Sequence, residues 1–456
     1  MFKNKKIHFI GIGGVSMSGI AYILNDMGAI VTGSDATASA ITEKFSKENI
    51  DVVIGTNTDF ISNADIVIYT AAISDTNPEL SCARELKKEC YERAVFLGIL
   101  SKLYNNCLCI AGTHGKSTTT GLVSNIFLEA NLNPTISIGA TLPAINSNVH
   151  IGSKDYLIME SCEYVDSFLN FFPSSTIITN IDNDHLDYFG DLDTIKKSFE
   201  KYCDLVPTEG SIVLNNDDEN SNFLINKSNV ITYGVKNSSN VMAENITFNE
   251  LGHGSYDLII NGKKITSVNL SIPGEHNVYN SLAAISLSIN HIEDVNVIVS
   301  GIEKYTGVGR RFEFIGKFNE AVIYDDYAHH PTEILTTINS ASKIESNKTY
   351  AIFQGHTYSR TKEHLEDFAK SLANFENVII APIYAAREDN IYNIKEEDLV
   401  DLIKKTNKNA IYIDSFEKIE EYISNIAVKN DLIITIGAGP INQVAINLSN
   451  KQKNCR

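Results

Sequence analysis

The stretch Cys107-Leu-Cys-Ile-Ala-Gly-Thr-His-Gly-Lys-Ser-Thr-Thr-Thr-Gly121 constrains the fold of this chain more than any other. Leu108 to Ala111 are apolar without a break, the pattern of a short strand buried in a parallel sheet. Gly112-Thr-His-Gly115 makes a small-residue turn, and Lys116 and Ser117 follow at once. Thr119, Leu122, Val123, Ile126 and Ala130 then recur at helical spacing. Strand, glycine turn and Lys-Ser at a helix start form a cradle for phosphate. The glycines let the backbone approach, and free N–H groups and the helix dipole face the anion. Lys116 has the reach for β- and γ-phosphates, and the Ser117 hydroxyl can hold Mg²⁺. The spacing is shorter than in the common phosphate loop, whose first glycine would fall on Ile110; here the turn is Gly-x-x-Gly-Lys-Ser. The plain alternative is an ordinary strand-to-helix turn with a surface lysine.

A chain of 456 residues has room for two or three domains. No apolar run approaches the length that crosses a membrane. The basic start, Met1-Phe-Lys-Asn-Lys-Lys6, leads into a glycine-rich turn and not into a secretory apolar core. The expectation is a cytoplasmic protein with no membrane insertion. Seven scattered cysteines, an odd number without a CxxC pair, point to reduced thiols, with Cys107 and Cys109 packing on their strand. A formal charge of −18 argues against a general nucleic-acid binder. An acidic protein that handles phosphates must concentrate its cations locally, which singles out Lys116, Arg310, Arg311 and Arg360.

The chain opens on a strand, residues 7–13, that runs into a glycine turn, followed by a helix marked by Met17, Ile20, Ala21, Leu24 and Met27. A second strand, residues 29–35, ends on Asp35. Gly11-x-Gly13-Gly14, a helix, a strand and an acid make a Rossmann-like opening. A dinucleotide fingerprint wants glycine at position 16, where this chain has Ser16. The turn therefore marks a nucleotide or phosphate site without saying which nucleotide. Strands at 52–54 and 65–72, the latter ending in Thr70-Ala-Ala-Ile, and a helix start at Pro78 complete a first α/β domain of about 105 residues.

A second domain starts near Asn106. Its strands Asp155–Glu160 and Thr176–Ile181 put Glu160 and then Asp182-Asn-Asp-His185 at carboxyl ends, where open α/β sheets bind ligands. Glu160 and His185 thus stand where Mg²⁺ on a phosphate would sit, since oxygen ligands and one imidazole suit it. The alternative is an acidic cap on the helix at 192–202. Short β-like segments fill 211–270, with Asn261-Gly262 as a hairpin signal. His276 and Asn277 begin a helix marked by Val278, Leu282, Ile285 and Ile289; they either contact a base or ribose or simply cap it. Gly307–Glu313 looks like a hinge-and-cation segment. Strands at 321–325, 349–353, 378–382, 410–413 and 432–436 alternate with helices in a third α/β region. Polar clusters follow three of them: Asp325-Asp-Tyr-Ala-His-His330, Gln354-Gly-His-Thr-Tyr-Ser-Arg360 and Gly437-Ala-Gly439.

Taken in order, Gly-Ile-Gly-Gly-Val-Ser-Met-Ser-Gly-Ile-Ala, Gly-Thr-His-Gly-Lys-Ser-Thr, Glu-Ser-Cys-Glu-Tyr, Thr-Asn-Ile-Asp-Asn-Asp-His-Leu-Asp, Gly-Glu-His-Asn, Arg-Arg-Phe-Glu and Asp-Asp-Tyr-Ala-His-His-Pro resemble the Mur ligases of peptidoglycan synthesis over the whole chain. The resemblance implies an α/β protein of three domains: a Rossmann-like UDP-binding domain at 1–105, a P-loop-type ATPase domain at 106–315, and a Rossmann-like domain at 316–456 that receives the amino acid and closes over the site. Gly11, Gly13, Gly14, Asp35 and Thr70 would serve the UDP moiety. Gly112, Thr113, His114, Gly115, Lys116, Ser117 and Thr118 would hold ATP phosphates, and His276 and Asn277 the adenosine. Ser117, Glu160 and His185 would bind Mg²⁺. Tyr327 and His329 would lie near the incoming L-alanine, and Arg360 near the reacting carboxylate. Ser16, Ser117, Gly355, Thr357 and Pro440 depart from the family's more frequent residues.

The implied reaction joins L-alanine to the carboxylate of UDP-N-acetylmuramate through an acyl phosphate made from ATP. Lys116, His329 and Arg360 would carry it, with His329 taking the amine proton or only orienting the amine. The expected assembly is a monomer or homodimer. Three alternatives stay open: a recycling ligase adding a tripeptide to the same sugar nucleotide, a nicotinamide-dependent oxidoreductase, and a nucleotide-sensing protein without turnover.

Overall fold

A computed structural model describes residues 1–48, 50–386, 388–407 and 409–454. Three sheets organise it. The first has five parallel strands: β1 (Lys6–Ile10), β2 (Ile30–Asp35), β3 (Asp51–Ile54), β4 (Ile66–Tyr69) and β5 (Glu89–Glu92), in the order β3-β2-β1-β4-β5. The order reverses at β1, so the crevice beyond its carboxyl end is where such a sheet takes ligands. The helix Val15–Asp26 buries Met17, Ile20, Ala21 and Leu24 in a core shared with Ile7 and Phe9. β4 is shorter than the sequence suggested, because the chain turns at Thr70, whose carbonyl accepts the Ile73 amide. β5 was not foreseen; it is a short edge strand with no fully buried residue and no apolar run.

The second sheet has ten strands: β6 (Asn106–Ala111), β7 (Thr135–Leu142), β8 (Ser147–His150), β9 (Tyr156–Glu160), β10 (Ser175–Ile178), β11 (Ile212–Asn215), β12 (Val230–Gly234), β13 (Val241–Phe248), β14 (His253–Ile260) and β15 (Lys263–Pro273). They run in the order β15-β14-β13-β12-β11-β10-β6-β9-β7-β8. β6 lies between β10 and β9, parallel to both, and all six of its residues except Asn106 are buried. The Asn261-Gly262 hairpin forms as expected, with both residues at positive φ, +48° and +75°. β10 stops three residues short of the expected strand, and beyond it the side chains of Thr179 and Asn180 brace the phosphate turn.

The third sheet follows the order β16-β17-β21-β18-β19-β20, with β16 (Glu313–Phe318), β17 (Ala321–Asp326), β18 (Thr349–Phe353), β19 (Asn377–Ile380), β20 (Ala410–Tyr412) and β21 (Leu432–Ile436). Five strands match the expected positions and are parallel; β16 was not foreseen. It is an antiparallel, half-exposed edge with a register shift between Phe314 and Gly316, so it lacks both an apolar run and a clean alternation.

The chain divides into two compact units. One comprises Met1–Glu244, Asp257–Val268 and Tyr279–Tyr305; the other comprises Asn245–Tyr256, Asn269–Val278 and the residues from Thr306 on. Within the first, one continuous apolar core joins residues of the first two sheets, such as Phe9 and Cys109, and of the helical segments against them, such as Phe96, Phe168 and Tyr202. Among the described residues, no helix is long and apolar enough to cross a membrane.

Candidate active site

The turn between β6 and the helix Lys116–Glu129 requires its glycines. Gly112 has φ +128° and Gly115 φ +83°, and a Cβ on either would stand 2.0 Å from Thr179 Oγ1 or 2.7 Å from Asn280 Oδ1. Residues after β10 brace the turn from outside. Asn180 Oδ1 accepts the His114 amide at 2.9 Å, and Thr179 and Asn180 both donate to the His114 carbonyl. The Asp182 amide donates to Thr113 Oγ1, and the Asp182 carboxylate lies 3.3 Å from His114 Nε2. Ser117 is buried at the helix start and Thr118 stands in its first turn.

Lys116 curls over this turn. Its Nζ donates to the Gly112 carbonyl at 2.5 Å, the Thr113 carbonyl at 2.9 Å and Glu163 Oε2 at 3.1 Å. Burial works against the ammonium charge, but Glu163, with Cys162 and Glu160 adding to it, outweighs it, and the Lys116 pKa is raised. Glu163 was not singled out from the sequence. The signal was the second acid of Glu160-Ser-Cys-Glu163, one turn of chain past the first.

Glu160, at the end of β9, accepts the Gly139 amide at 2.7 Å, and its charge also acts on Lys116. His185 has φ +53° and opens the short helix Leu186–Phe189, its ring 4.4 Å from that of Tyr164. Asp182 and Asp184 do not cap the helix Leu192–Cys203. Asp191 does, through the Thr194 amide at 2.8 Å. Among the described residues no three His, Cys, Asp or Glu side chains form a ready-made metal group.

Around β1 the structure brings together all five residues expected at the UDP moiety. The Gly11 and Ile12 amides donate to the Ser34 carbonyl, the Gly13 amide to Asp35 Oδ2 at 2.9 Å, and the Gly14 amide to the Gly11 carbonyl. Thr70 flanks the turn, its Cγ2 2.7 Å from where a Gly11 Cβ would be. Ser16, the departure from the fingerprint, accepts Arg93 Nη1 at 3.3 Å. Arg93 is a cation that nothing in the spacing of the sequence marked.

In the second unit, burial pulls the His276 imidazole down to about 4, and Asn277 Nδ2 donates to the Pro273 carbonyl at 2.7 Å. Tyr327 and His329 follow β17. The Tyr327 ring lies 4.8 Å from the Arg310 guanidinium and 5.4 Å from that of Arg311. Two of the four cations that the charge balance singled out are thus committed elsewhere. Arg310 binds Asp325 and the carbonyls of Gly437 and Gly439, clamping the exit of β21, and Arg311 pairs with Glu333 at 3.6 Å. Arg360 makes no ion pair among the described residues. His329 Nδ1 lies 3.0 Å from the Tyr327 carbonyl and 3.3 Å from Glu333, which makes Nδ1 the protonated nitrogen and leaves Nε2 as the acceptor. Burial lowers the His329 pKa, with Arg360 and Arg311 adding to it and Glu333 opposing.

Three family models match the chain in succession: the Mur ligase family catalytic domain at residues 6–105, the Mur ligase middle domain at 110–288, and the Mur ligase glutamate ligase domain at 310–439. The UDP-N-acetylmuramate–L-alanine ligase of Caldicellulosiruptor saccharolyticus is 47% identical over 443 residues, covering 96% of this chain and 97% of its own. That of Clostridium botulinum is 44% identical, covering 97% of each. The crystal structure of UDP-N-acetylmuramate–alanine ligase MurC from Thermotoga maritima superposes with a TM-score of 0.85 at 27% identity, over 99% of this chain and 100% of that one. This chain belongs to the Mur ligase family, an α/β architecture of three domains. A murein peptide ligase of Psychrobacter arcticus shares the fold, with a TM-score of 0.72 at 22% identity over 98% of each chain.

Proposed function

We propose that this chain joins L-alanine to the carboxylate of UDP-N-acetylmuramate and converts ATP to ADP and phosphate, in peptidoglycan precursor synthesis. The observation that carries the reading is a glycine turn closed by Lys116 in a chain that matches alanine ligases from end to end. Residues 1–105 would hold the uridine nucleotide, 106–315 ATP, and 316–456 the amino acid.

A carboxylate does not yield to an amine directly, because oxide would have to leave. In the first step a carboxylate oxygen of the sugar nucleotide attacks the γ-phosphorus of ATP. The bond to the β,γ-bridging oxygen breaks, ADP leaves, and an acyl phosphate forms. Lys116 neutralises charge that builds on the transferred group. The amine nitrogen of alanine then attacks the acyl carbon, and phosphate leaves with the bonding pair. His329 Nε2 takes the amine proton, and the guanidinium of Arg360 holds the reacting carboxylate. His276, neutral at working pH, and Asn277 serve the adenosine.

Ser117, Glu160 and His185 would hold Mg²⁺. An oxygen-rich set with one imidazole fits that ion, and the lack of a three-ligand protein cage among the described residues suits an ion that keeps waters and phosphate oxygens. When bound it supplies charge neutralisation on the phosphoryl oxygens.

Phosphate release tests the reading. Release is expected only when UDP-N-acetylmuramate and L-alanine are both present. ATP consumption without the sugar acid would sink it, and a preference for a tripeptide over alanine would move it to the recycling ligase.

A further inference from the structure

Beneath the glycine turn of the first sheet lies a polar cluster that the reaction does not use. His8 on β1 and Glu79 in the helix Pro78–Glu85 are both buried, at 0% and 1% exposure. The Glu79 carboxylate accepts the Ser34 hydroxyl at 2.7 Å and the Asn57 amide at 2.9 Å. Its Oε1 stands 3.5 Å from His8 Nε2, an ion-pair distance too long for a strong hydrogen bond, and His8 Nδ1 lies 2.8 Å from Thr32 Oγ1. Burial pushes the Glu79 carboxyl up, but His8, Asn57 and Ser34 together outweigh it, and the net shift is downward.

A buried charge of this kind is costly, and apolar side chains often replace one without loss of stability. Its placement gives it a second use. Ser34, which Glu79 grips by the hydroxyl, is the residue whose carbonyl holds the Gly11 and Ile12 amides. The next residue, Asp35, holds the Gly13 amide with its side chain and the Gly55 amide with its carbonyl. Asn57, the other donor to Glu79, follows Gly55 by two residues. One carboxylate thus ties the carboxyl ends of β2 and β3 together directly under the turn.

We propose that Glu79, with His8 beside it, is a positioning residue for the sugar-nucleotide substrate, setting the glycine turn through Ser34. This rests on the reading that Gly11–Gly14 and Asp35 serve the UDP moiety.

The test is steady-state phosphate release by the full-length protein, with UDP-N-acetylmuramate, ATP and L-alanine varied in turn. The variants are Glu79→Gln, Ser34→Ala and Gly13→Ala. Glu79→Gln keeps the shape but turns one acceptor into a donor. Its KM for UDP-N-acetylmuramate is expected to rise about tenfold, and that of Ser34→Ala about threefold. In both, kcat and the KM values for ATP and L-alanine should stay within about twofold of the parent. A merely structural role would lower the active fraction, and so kcat, with every KM unchanged; that result overturns the proposal. Gly13→Ala, whose Cβ would stand 2.8 Å from Asp35 Oδ2, separates the two levels of the argument. If it raises the sugar-nucleotide KM while the other two variants do not, the proposal alone falls. If it leaves that KM unchanged, the assignment of the turn falls, and the proposal with it. Should Glu79→Gln fail to fold, Ser34→Ala decides by the same criteria.

Discussion

The two glycine turns of the first unit share a plan, strand into turn into helix, and set opposite charges beside it. After β1, the amides of Gly11, Ile12, Gly13 and Gly14 are all bonded within the protein, that of Gly13 to the Asp35 carboxylate. After β6, the amides of Thr113 and His114 are bonded to Asn180. The helices that follow, from Val15 and from Lys116, both leave first-turn amides without partners inside the helix. What differs is the charge set beside each turn: after β6 a lysine is folded onto the turn's carbonyls, and after β1 stands the carboxylate of Asp35. A cation there suits a polyphosphate, and a carboxylate suits hydroxyl donors such as a ribose. A glycine fingerprint by itself therefore does not identify a dinucleotide site; the charge beside its amides is needed too.

The hardest blow to this contrast is Lys116→Ala. We expect kcat/KM for phosphate release to fall by about a thousandfold or more. Urea melts should show a loss of about 3 kcal/mol, because Glu163, 2% exposed, is left charged without its partner. Adding Glu163→Gln should return most of the stability and none of the activity. Amide formation at the parent rate by Lys116→Ala would end the assignment of the second turn to ATP.

Activation at the second turn leaves the amine proton to be removed elsewhere. His329→Gln is expected to lower kcat by about a hundredfold. With His329 as the proposed base, the neutral imidazole is the working form, and its pKa is lowered. The rate should therefore fall as pH drops through a value below the ordinary ~6.5 for histidine. That acid limb should vanish in the variant. A limb that survives unchanged would assign the titration to another group.

Backbone strain separates single glycines of the two turns by less. Gly112→Ala forces a side chain into φ +128° against Thr179, whereas Gly14 has φ −66° and a Cβ added there would have its nearest neighbours 3.6 Å away. The first should cost about 3 kcal/mol and the second within about 0.5 kcal/mol in the same melts. Equal costs would mean that the second turn is not held as described.

Much of this was legible in the sequence, and the reasons differ by element. The strand before the phosphate turn is buried on both faces, so its apolar run survives in the sequence as a plain signal. β1 and β4 of the first sheet and the inner strands of the third were found on similar grounds, and the partly exposed edges β3 and β20 by the short apolar runs that they keep. β5 and β16 were not, because these two edge strands carry neither an apolar run nor, where the register of β16 shifts, a clean period. Arg310 and Arg311 looked like substrate cations, since charge is visible in a sequence and pairing is not. It takes the fold to bring Asp325, 15 residues on, and the Gly437 carbonyl, 127 residues on, to the same guanidinium. Glu163 and Arg93 were missed for the same reason. Their partners, Lys116 and Ser16, lie 47 and 77 residues away.

Removing the acceptor from the first turn sharpens the contrast from the other side. Asp35→Ala frees the Gly13 amide and should raise the KM for UDP-N-acetylmuramate about tenfold, with the KM for ATP unchanged. If both rise together, the two turns form one site, and the division of labour between them is wrong.

The smallest expected effect is a flat line. Glu79 anchors the first turn, and its pKa is lowered on folding. A carboxyl of that kind contributes stability that is present above its unfolded value, about 4.3, and is lost as pH falls through the lower folded one. Glu79 itself keeps its charge near neutrality. As far as Glu79 sets it, the KM for UDP-N-acetylmuramate, taken at saturating ATP and L-alanine, should vary by less than about twofold between about pH 6 and pH 9, while kcat follows His329. A sugar-nucleotide KM that climbs with kcat's acid limb would mean that a group other than the Glu79 carboxylate sets the first turn, and that the carboxylate is not its anchor.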